Sequence, residues 1–257
     1  MAASKPVPTI TYQPMQLLEA RRLDRHAPWR WLRQGWNTFM RMPAPAFLFG
    51  ALFAVAGAAI SWAAISQPQL VFAFWSGFLL IGPILAMVLY RMAKREQQGL
   101  LPDAGSCWRM LTAKPGTTLL FALLLALVMI AWLRVSTLIA ALYAGGVGGS
   151  SFITQLGSVE GLGFVAIQLA VGGVFALAMF GLSVWSLPMM VDGRTDPVTA
   201  IASSVRAVAT QPLVMLSWGV LVAALTLLGM ATAFFGFAVI FPVLGFATWH
   251  AYREIFA

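Results

Sequence analysis

The stretch Gly77–Glu96, GFLLIGPILAMVLYRMAKRE, decides the class of this protein. It is an apolar run that contains Pro83 and ends in closely spaced cationic residues. A helix of about 20 apolar residues spans the hydrocarbon of a bilayer, and a proline removes one of its backbone hydrogen bonds. The pattern therefore predicts a membrane helix that is broken by proline shortly before it reaches water. Two later stretches repeat this plan around Pro188 and Pro242.

The composition of the whole chain is that of a membrane protein. Sixty per cent of the 257 residues are hydrophobic and 9% are charged, whereas a soluble domain carries about 25% charged residues. The single cysteine, Cys107, excludes an internal disulfide and a cysteine metal cluster. The formal net charge of +8 could indicate nucleic acid. In a membrane protein such a surplus marks the cytoplasmic side instead, so we expect no nucleic-acid partner.

The hydrophobic runs predict an all-α, polytopic membrane domain over residues 28–257, with six transmembrane helices. We expect the spans at about 46–65, 70–90, 117–143, 164–190, 212–230 and 232–250. All sixteen Lys and Arg residues except Arg134 fall in the N-terminal segment, in two alternate loops or in the C-terminal tail. Because Lys and Arg are enriched on the cytoplasmic side, both termini are expected in the cytoplasm.

The predicted helices form a pseudo-threefold repeat of helix hairpins. Each unit has a short interfacial amphipathic helix, a proline that opens a span, an outer turn and a proline-broken span. The opening prolines are Pro45, Pro115 and Pro212, and the later ones are Pro83, Pro188 and Pro242. Interrupted helices frame the binding site in many transporters. The alternative is a simple kink that lets the span bend onto its amphipathic helix.

The first amphipathic helix follows a flexible basic N-terminal arm, predicted over residues 1–27. Trp29 and Trp36 belong to an apolar set that recurs every three or four residues, whereas Arg30 and Arg33 fall elsewhere on the helix. This arrangement suits a helix in the headgroup layer that binds anionic lipid at the cytoplasmic face. A helix packed under the membrane bundle is the alternative. Two further amphipathic helices are expected near residues 107–111 and 198–209.

Arg134 is the one Lys or Arg residue inside a predicted span, and charged residues there are by default functional candidates. It lies about 17 residues, or roughly 25 Å, from the start of its span, where an arginine can extend toward the outer interface. Glu160 is the only other charge on that side and is its expected partner. A structural pair or simple extension to the interface competes with a substrate site. No predicted span contains Asp or Glu, so a coupling carboxylate is not evident.

Several motifs resemble an uncharacterised bacterial integral-membrane family that is classed as a domain of unknown function. The motifs are Pro28–Leu32 with Gly35-Trp36, Leu80–Pro83, Ser186–Pro188, Thr199–Ile201 with Ser203, and Ala247–Arg253. The resemblance covers about residues 28–256 and implies a six-span protein of the bacterial inner membrane. It implies no established activity and supplies no catalytic residues. Some members carry the label of a cytochrome c oxidase subunit.

The histidines test that label. A haem-copper core needs several histidines inside its spans, and this chain has only His26 and His250. The positions of these two histidines disfavour a haem-copper core, and an accessory or assembly subunit stays open. His250, flanked by Trp249 and Tyr252, is expected to be an interfacial residue. We expect no cofactor, no metal site and no catalytic residue.

Three hypotheses for the function follow from these observations. The first is a non-enzymatic accessory, assembly or interaction factor, which binds lipid, a membrane-protein partner or a second copy of itself. The second is a small-molecule transporter or channel, whose cavity would be lined by Ser76, Gln168, Ser183, Ser186 and Thr226. The third is a membrane enzyme, for which Asp192, Asp196 and His250 are the only candidates.

Overall fold

The computed structural model describes residues 18–65, 71–100, 115–144, 159–193 and 195–256. The regular elements in these ranges are helices, which confirms the all-α prediction. They are α1 Ala27–Arg41, α2 Pro43–Ile65, α3 Val71–Gln97, α4 Pro115–Ala144, α5 Val159–Ser183, α6 Ser186–Asp192, α7 Pro197–Thr210, α8 Pro212–Ala231 and α9 Phe237–Phe256.

Four stretches of the described chain are long and apolar enough to cross a membrane. They are Pro43–Trp62, Leu119–Tyr143, Gly161–Asp192 and Pro212–Ala231. They coincide with the predicted first, third, fourth and fifth spans, so the chain is multi-pass by this criterion. The predicted second and sixth spans coincide with α3 and α9. Both of these helices carry charged residues in their last turns.

Helix α9 lies at the centre of the bundle and packs against α1, α2 and α3. Every residue from Phe241 to Trp249 is buried, as expected for a helix that is apolar on all sides. Its backbone is approached closely by small residues of its neighbours. A Cβ atom on Gly50 of α2 would lie 2.2 Å from the carbonyl oxygen of Ala238. The central position of α9 therefore depends on glycine at the contacts.

Two of the three prolines predicted to break a span, Pro83 and Pro242, do not break their helices. Helices α3 and α9 run through Pro83 and Pro242, so the predicted breaks there are wrong. A proline inside a helix removes one backbone hydrogen bond. The helix can continue past it where packing against neighbouring helices holds that turn in place. The predicted break near Pro188 is confirmed. The chain is interrupted between α5 and α6, around Val184, and a proline cannot bond to the carbonyl four residues before it.

A buried serine of α7 stabilises the interruption between α5 and α6. The Ser204 hydroxyl accepts a hydrogen bond from the backbone N–H of Trp185 at 3.3 Å. It donates to the carbonyl oxygen of Gly181 at 2.6 Å. These bonds satisfy backbone groups that the interrupted helix leaves without an internal partner. The predicted amphipathic helix at 198–209 is confirmed as α7, and its packing against α5 and α6 explains this role.

Helices α4 and α5 form a hairpin at the periphery. The Trp132 ring packs against Phe175 with centroids 5.6 Å apart, and Tyr143 contacts Phe164 in the same way. The opposite face of α4 exposes a row of leucines and isoleucine, including Leu119, Leu123, Leu127, Ile130 and Leu138.

Helix α1 packs on the bundle, and it starts at Ala27 with Pro28 in its first turn. Trp31 is fully buried and makes edge-to-face contacts with Trp185 and Trp218. The face of α1 that carries Trp31 is therefore packed against the bundle, which was one of the two alternatives predicted for this helix. Trp29 and Trp36 lie on another face and remain 64% and 45% exposed.

Part of the predicted basic arm is placed against the bundle. The backbone N–H of Arg21 donates to the carbonyl oxygen of Ile255 at 3.0 Å. The Leu23 N–H donates to the Gln211 side chain at 2.7 Å. These bonds fix residues that precede α1 beside α7 and α9. Residues 1–17 of the arm and the predicted amphipathic helix at 107–111 lie outside the described residues.

Candidate functional site at the α1 end of the bundle

Charged side chains gather where α1 meets the ends of α3, α6 and α9. Three ion pairs join different helices at this end. Glu254 of α9 pairs with Arg30 of α1 at 2.5 Å, Glu96 of α3 pairs with Arg41 of α1 at 2.6 Å, and Asp192 of α6 pairs with Lys94 of α3 at 2.6 Å. We call this group the end network. Each pair crosses from one helix to another, so the network fastens the helix ends together.

Asp192 is the most enclosed carboxylate of the end network, with a side chain only 7% exposed. Its Oδ1 atom accepts from Lys94 Nζ, and its Oδ2 atom accepts from the Tyr252 hydroxyl at 2.9 Å. Lys94 also donates to the backbone carbonyl of Asp192 at 3.1 Å. A carboxylate with these contacts holds α3, α6 and α9 together. Sequence reasoning named Asp192 but could not supply either partner.

His250 lies between α1 and α3, and both of its ring nitrogens have neighbours. Nε2 is 2.8 Å from the Thr38 hydroxyl, and Nδ1 is 3.3 Å from the Gln97 amide nitrogen. The same Gln97 side chain accepts a hydrogen bond from Trp249 Nε1 at 3.0 Å. His250 therefore connects three helices. No cluster of three or more His, Cys, Asp or Glu residues that could hold a metal occurs in the described ranges.

Glu254 joins α9 to α1 by several hydrogen bonds. Its carboxylate accepts from Arg30 Nε and Nη2, and from the indole N–H of Trp31 at 3.0 Å. Arg30 also donates to Asp24 at 2.8 Å. The hydrogen bonds from Glu254 and Asp24 raise the pKa of Arg30, and the Arg30 hydrogen bond lowers the pKa of Asp24. Sequence reasoning missed the contact between Glu254 and Trp31 because the two residues lie 223 positions apart in the chain.

Asp196, the third enzyme candidate, caps α7. Its carboxylate accepts from the backbone N–H groups of Val198 at 3.0 Å and Thr199 at 3.1 Å. An aspartate followed by proline at the first helical position is a strong helix-start signal. The hydrogen bonds from Thr199 hold the pKa of Asp196 below its usual value. The three enzyme candidates therefore occupy separate positions, each in a structural contact.

Trp29 and Trp36 line a surface groove, which we call the α1 groove. It has a volume of about 400 Å³ and runs between α1, α8 and α9. Its walls are Trp29, Leu32, Arg33, Trp36, Leu225, Val239, Ile240 and Val243. All of these residues are apolar or aromatic except Arg33, which is exposed.

A second cavity lies inside the bundle, and we call it the inner cavity. Its volume is about 230 Å³, and α3, α5, α6, α8 and α9 contribute to it, with Phe53 of α2. Pro83, Ser183 and Thr226 line it. The transporter hypothesis predicted Ser183 and Thr226 at such a cavity. Gln168 does not, because its amide donates to Ser136 within the α4–α5 hairpin at 2.5 Å. Ser186 is buried and donates to the carbonyl of Leu182, and the Ser76 side chain lies outside the described part.

Pro188 and Pro242 are buried but do not line the inner cavity. The Pro242 ring faces Gly50, since a Cβ atom on that glycine would lie 2.8 Å from Pro242 Cδ. Of the three prolines singled out in the sequence, Pro83 alone therefore borders this space.

Arg134 lies on α4, ten residues before its end, or about 15 Å along the helix axis. Its side chain is exposed and shares a face with Leu127, Ile130 and Leu138, which are also exposed. Glu160 belongs to α5, but its side chain lies outside the description. The Arg134–Glu160 pair therefore stays a prediction.

Comparison with known families supports the membrane assignment. Residues 70–192 match the profile of a family described as a predicted integral membrane protein, DUF2189. The matched segment contains α3 to α6. Searches among curated proteins and among solved structures give no match. The chain is thus an integral membrane protein with transmembrane helices, similar over this segment to a family of unknown function.

Proposed function

We propose that this chain is a six-span protein of the bacterial inner membrane, with both termini in the cytoplasm, that acts as a non-enzymatic accessory, assembly or interaction factor. One observation carries the interaction role: the exposed guanidinium of Arg134 on the outer face of the α4–α5 hairpin. The family match supports membrane insertion without assigning a task.

The setting of Arg134 is unusual for a charged residue in a membrane helix. Charged residues in spans face the bundle interior or a water-filled cavity in most proteins, and an arginine at a span centre costs about 2.5–3.5 kcal/mol on insertion scales. Arg134 instead shares its face with Leu127, Ile130 and Leu138, spaced at helical intervals on the exposed side. A carboxylate or phosphate that pairs with the guanidinium would offset that cost.

We propose that the carboxylate comes from a different protein, as the alternative to the predicted pair with Glu160. The predicted spans of this chain contain no Asp or Glu, so a second copy presents no carboxylate from within a span. We therefore assign the exposed face of α4 to a membrane helix of another protein that carries Asp or Glu. An acidic residue on the partner helix would pair with the guanidinium, which apolar side chains on that helix could not do.

The end network supports a role without chemistry. Asp192, His250 and Glu254 each bridge helices through hydrogen bonds. A catalytic acid or base needs access to a substrate and a free position for a proton. These side chains are used to hold the bundle, which makes the membrane-enzyme hypothesis the weakest of the three.

A photoreactive diazirine amino acid at Leu138 tests the partner. We expect a cross-link in native membranes to a membrane segment that contains Asp or Glu, and the same probe at exposed Leu52 of α2 serves as the control. Arg134→Glu should abolish the cross-link, and exchange of the partner's acid for arginine should restore it. A cross-link to lipid alone at both positions would overturn the interaction role.

The orientation has its own test, because Cys107 is the only cysteine and lies in a predicted cytoplasmic loop. In spheroplasts, a membrane-impermeant maleimide should label Cys107 only after permeabilisation. In a Cys107→Ser background, Gly148→Cys should be labelled without permeabilisation. The reverse pattern would contradict the proposed topology.

A transporter or channel is the second candidate, and the inner cavity is the observation that favours it. Ser183 and Thr226 line this cavity together with Pro83. The described residues of the lining include no charged side chain, so a neutral cargo fits them. Flux of neutral solutes into proteoliposomes that exceeds the flux into protein-free vesicles would favour this candidate.

We also propose that the α1 groove binds an anionic phospholipid. Arg33 supplies the positive charge at the groove, and Trp29 and Trp36 supply amphipathic rings of the kind that collect at membrane interfaces. Leu225, Val239 and Ile240 form an apolar wall against which an acyl chain would lie. Arg30 is not part of this site, since Glu254 and Asp24 bind its guanidinium.

A further inference from the structure

The inner cavity opens sideways toward the bilayer. Its partly exposed lining residues include Phe180 of α5 and Val222 and Thr226 of α8. Both of these helices belong to stretches that are long and apolar enough to cross a membrane. The opposite wall is the central helix α9, which is buried from Phe241 to Trp249. The open side of the cavity therefore faces the hydrocarbon of the membrane.

The cavity extends from this opening to the central helix. Phe241, Leu244 and Thr248 of α9 line it and keep 9%, 9% and 8% of their surface accessible. Phe246 and Ala247 do not line it, and both are 0% accessible. From Phe241 to Thr248 the lining covers seven residues, or about 10 Å along the helix axis. The open space is therefore a slot that runs parallel to α9.

The polar residues of the described lining do not call for a polar ligand. Ser183 and Thr248 each donate to the backbone carbonyl four residues earlier, at 2.7 and 2.8 Å, and the Tyr90 hydroxyl pairs with Thr248. The indole nitrogen of Trp218 is itself enclosed by protein. Thr226 lies at the partly exposed opening. The described lining holds no charged residue, so a charged group would be costly to bury there.

The volume of the cavity matches a segment of hydrocarbon chain. A cavity of about 150 Å³ takes up benzene, so the inner cavity, with about 230 Å³, has room for roughly nine carbon atoms. Water is not a suitable occupant, because apolar cavities stay dry. If the cavity were empty, its lining side chains would lose dispersion contacts on that side. The molecules that meet its opening in a bilayer are lipid acyl chains, which can restore these contacts.

We propose that the inner cavity binds one acyl chain of a membrane lipid, which enters between α5 and α8 and lies along α9. The chain is recognised by its shape, and its headgroup stays outside the cavity and is not selected. The site shares no lining residue with the α1 groove, where an anionic headgroup is the recognised part. It also lies apart from the exposed face of Arg134, so each proposal can fail alone. A bound chain would occupy the space that the transporter candidate assigns to a neutral cargo.

Phosphatidylcholine with a photoreactive diazirine at the end of one acyl chain is the probe. With the full chain in nanodiscs of this lipid, we expect adducts on Phe241 and Leu244 after irradiation, located by mass spectrometry. Both residues are buried in the bundle, so their labelling reports an inserted chain and not the surrounding bilayer. Phosphatidylglycerol with the same chain should label them equally. Labelling confined to exposed residues such as Leu216 would overturn the proposal, and so would labelling that requires phosphatidylglycerol.

Substitutions at the opening test the path of the chain. Val222→Trp places an indole at the opening and should abolish the labelling of α9, while the labelling of exposed residues persists. Val220→Trp is the matched control, since Val220 lies on the same helix but is 60% exposed, and it should leave the labelling of α9 unchanged. Thr226→Phe narrows the same opening and supplies the test if Val222→Trp does not fold. Labelling of α9 that is equal in the control and in the folded variants at the opening would overturn the site.

Discussion

A Cβ atom on Gly35 would lie 2.5 Å from the carbonyl oxygen of Val243, so α1 touches the backbone of the central helix α9 directly. The same atom would lie 2.7 Å from the amide nitrogen of Ala247. Only a residue without a side chain permits this approach. Because Trp31 enters the bundle one turn before Gly35, the contact also sets how deeply the tryptophan is buried.

Gly35→Ala is therefore expected to push α1 away from α9. Overpacking at a close contact costs about 1–3 kcal/mol, and we expect the free energy of unfolding to fall by that amount. Chemical unfolding in mixed micelles, followed by tryptophan fluorescence, measures it. Gly173→Ala on α5 is the control, because its new Cβ atom would meet nothing within 4 Å. An unchanged free energy in Gly35→Ala would contradict the direct contact.

The pair between Lys94 and Asp192 should be the most costly part of the end network to break. Lys94→Met leaves an enclosed carboxylate without its nearest cation, and the loss of one partner from a buried pair costs about 3 kcal/mol or more. Lys94 is 20% exposed, which places the expected loss at the lower end. The double variant Lys94→Met, Asp192→Asn should recover part of it, because no charge is then stranded.

The same unfolding assay measures these variants. Arg206→Met is the matched control, since Arg206 is exposed on α7 and replacement of an exposed residue changes stability by less than about 0.5 kcal/mol. A loss in Lys94→Met no greater than in the control would show that the pair is solvated.

The cap of α7 gives a pH-dependent prediction. The folded pKa of Asp196 is lowered by the hydrogen bonds from Thr199. Its stabilising contribution is therefore complete above the ordinary carboxyl pKa of 3.8 and is lost as the pH falls through the lowered folded pKa. Asp196→Asn keeps an uncharged cap and removes this titration. The difference in free energy of unfolding between the two forms should stay constant from pH 7 to pH 5 and change only below about pH 4.

Asp196→Ala measures how much the cap contributes to the free energy of unfolding at neutral pH. Replacing a capping Asp with Ala costs about 0.5–2 kcal/mol, and the loss should appear in hydrogen exchange of the first turn of α7. If the difference in free energy of unfolding between the unsubstituted protein and Asp196→Asn varies between pH 7 and pH 5, a group other than Asp196 is responsible for the titration.

Binding of anionic lipid in the α1 groove should depend on Arg33. An arginine near an anionic surface contributes about 1 kcal/mol, so Arg33→Gln should reduce retained phosphatidylglycerol roughly fivefold in native mass spectrometry. Trp29→Ala with Trp36→Ala should lower retention further through loss of apolar contact. Neither change should unfold the bundle, because all three side chains are exposed. Arg206→Gln is the charge-matched control, and equal loss in both arginine variants would contradict a specific groove.

Much of the helical pattern could be predicted from the sequence because it depends on local features. The predicted first, third, fourth and fifth spans coincide with stretches long and apolar enough to cross a membrane. The third amphipathic helix was placed within a residue or two of α7. The predicted breaks at Pro83 and Pro242 were wrong because the loss of one backbone bond does not end a helix whose sides are packed. The predicted break near Pro188 is present, and the backbone groups beside it bind Ser204, a residue of another helix.

The candidate sites were less accessible to sequence reasoning. Helical spacing groups Trp29 and Trp36 on one apolar face, which is exposed, but Trp31, two residues after Trp29, enters the core. Helical spacing separates the two faces without saying which one meets protein. Sequence reasoning also named Asp192 and His250 without their partners. The partners belong to other helices, and hydrophobic periodicity carries no information about which helices meet.

The sequence by itself determined that this is an all-α protein of the membrane, because the free energy of transfer into a bilayer is a sum over local residues. Only the tertiary structure decided that α9 is central, that Glu254 binds Arg30 and Trp31, and that Trp31 packs against Trp218 in the core. These features depend on contacts between residues far apart in the chain. Such contacts are selected by the packing of all helices together, which no single stretch of the sequence encodes.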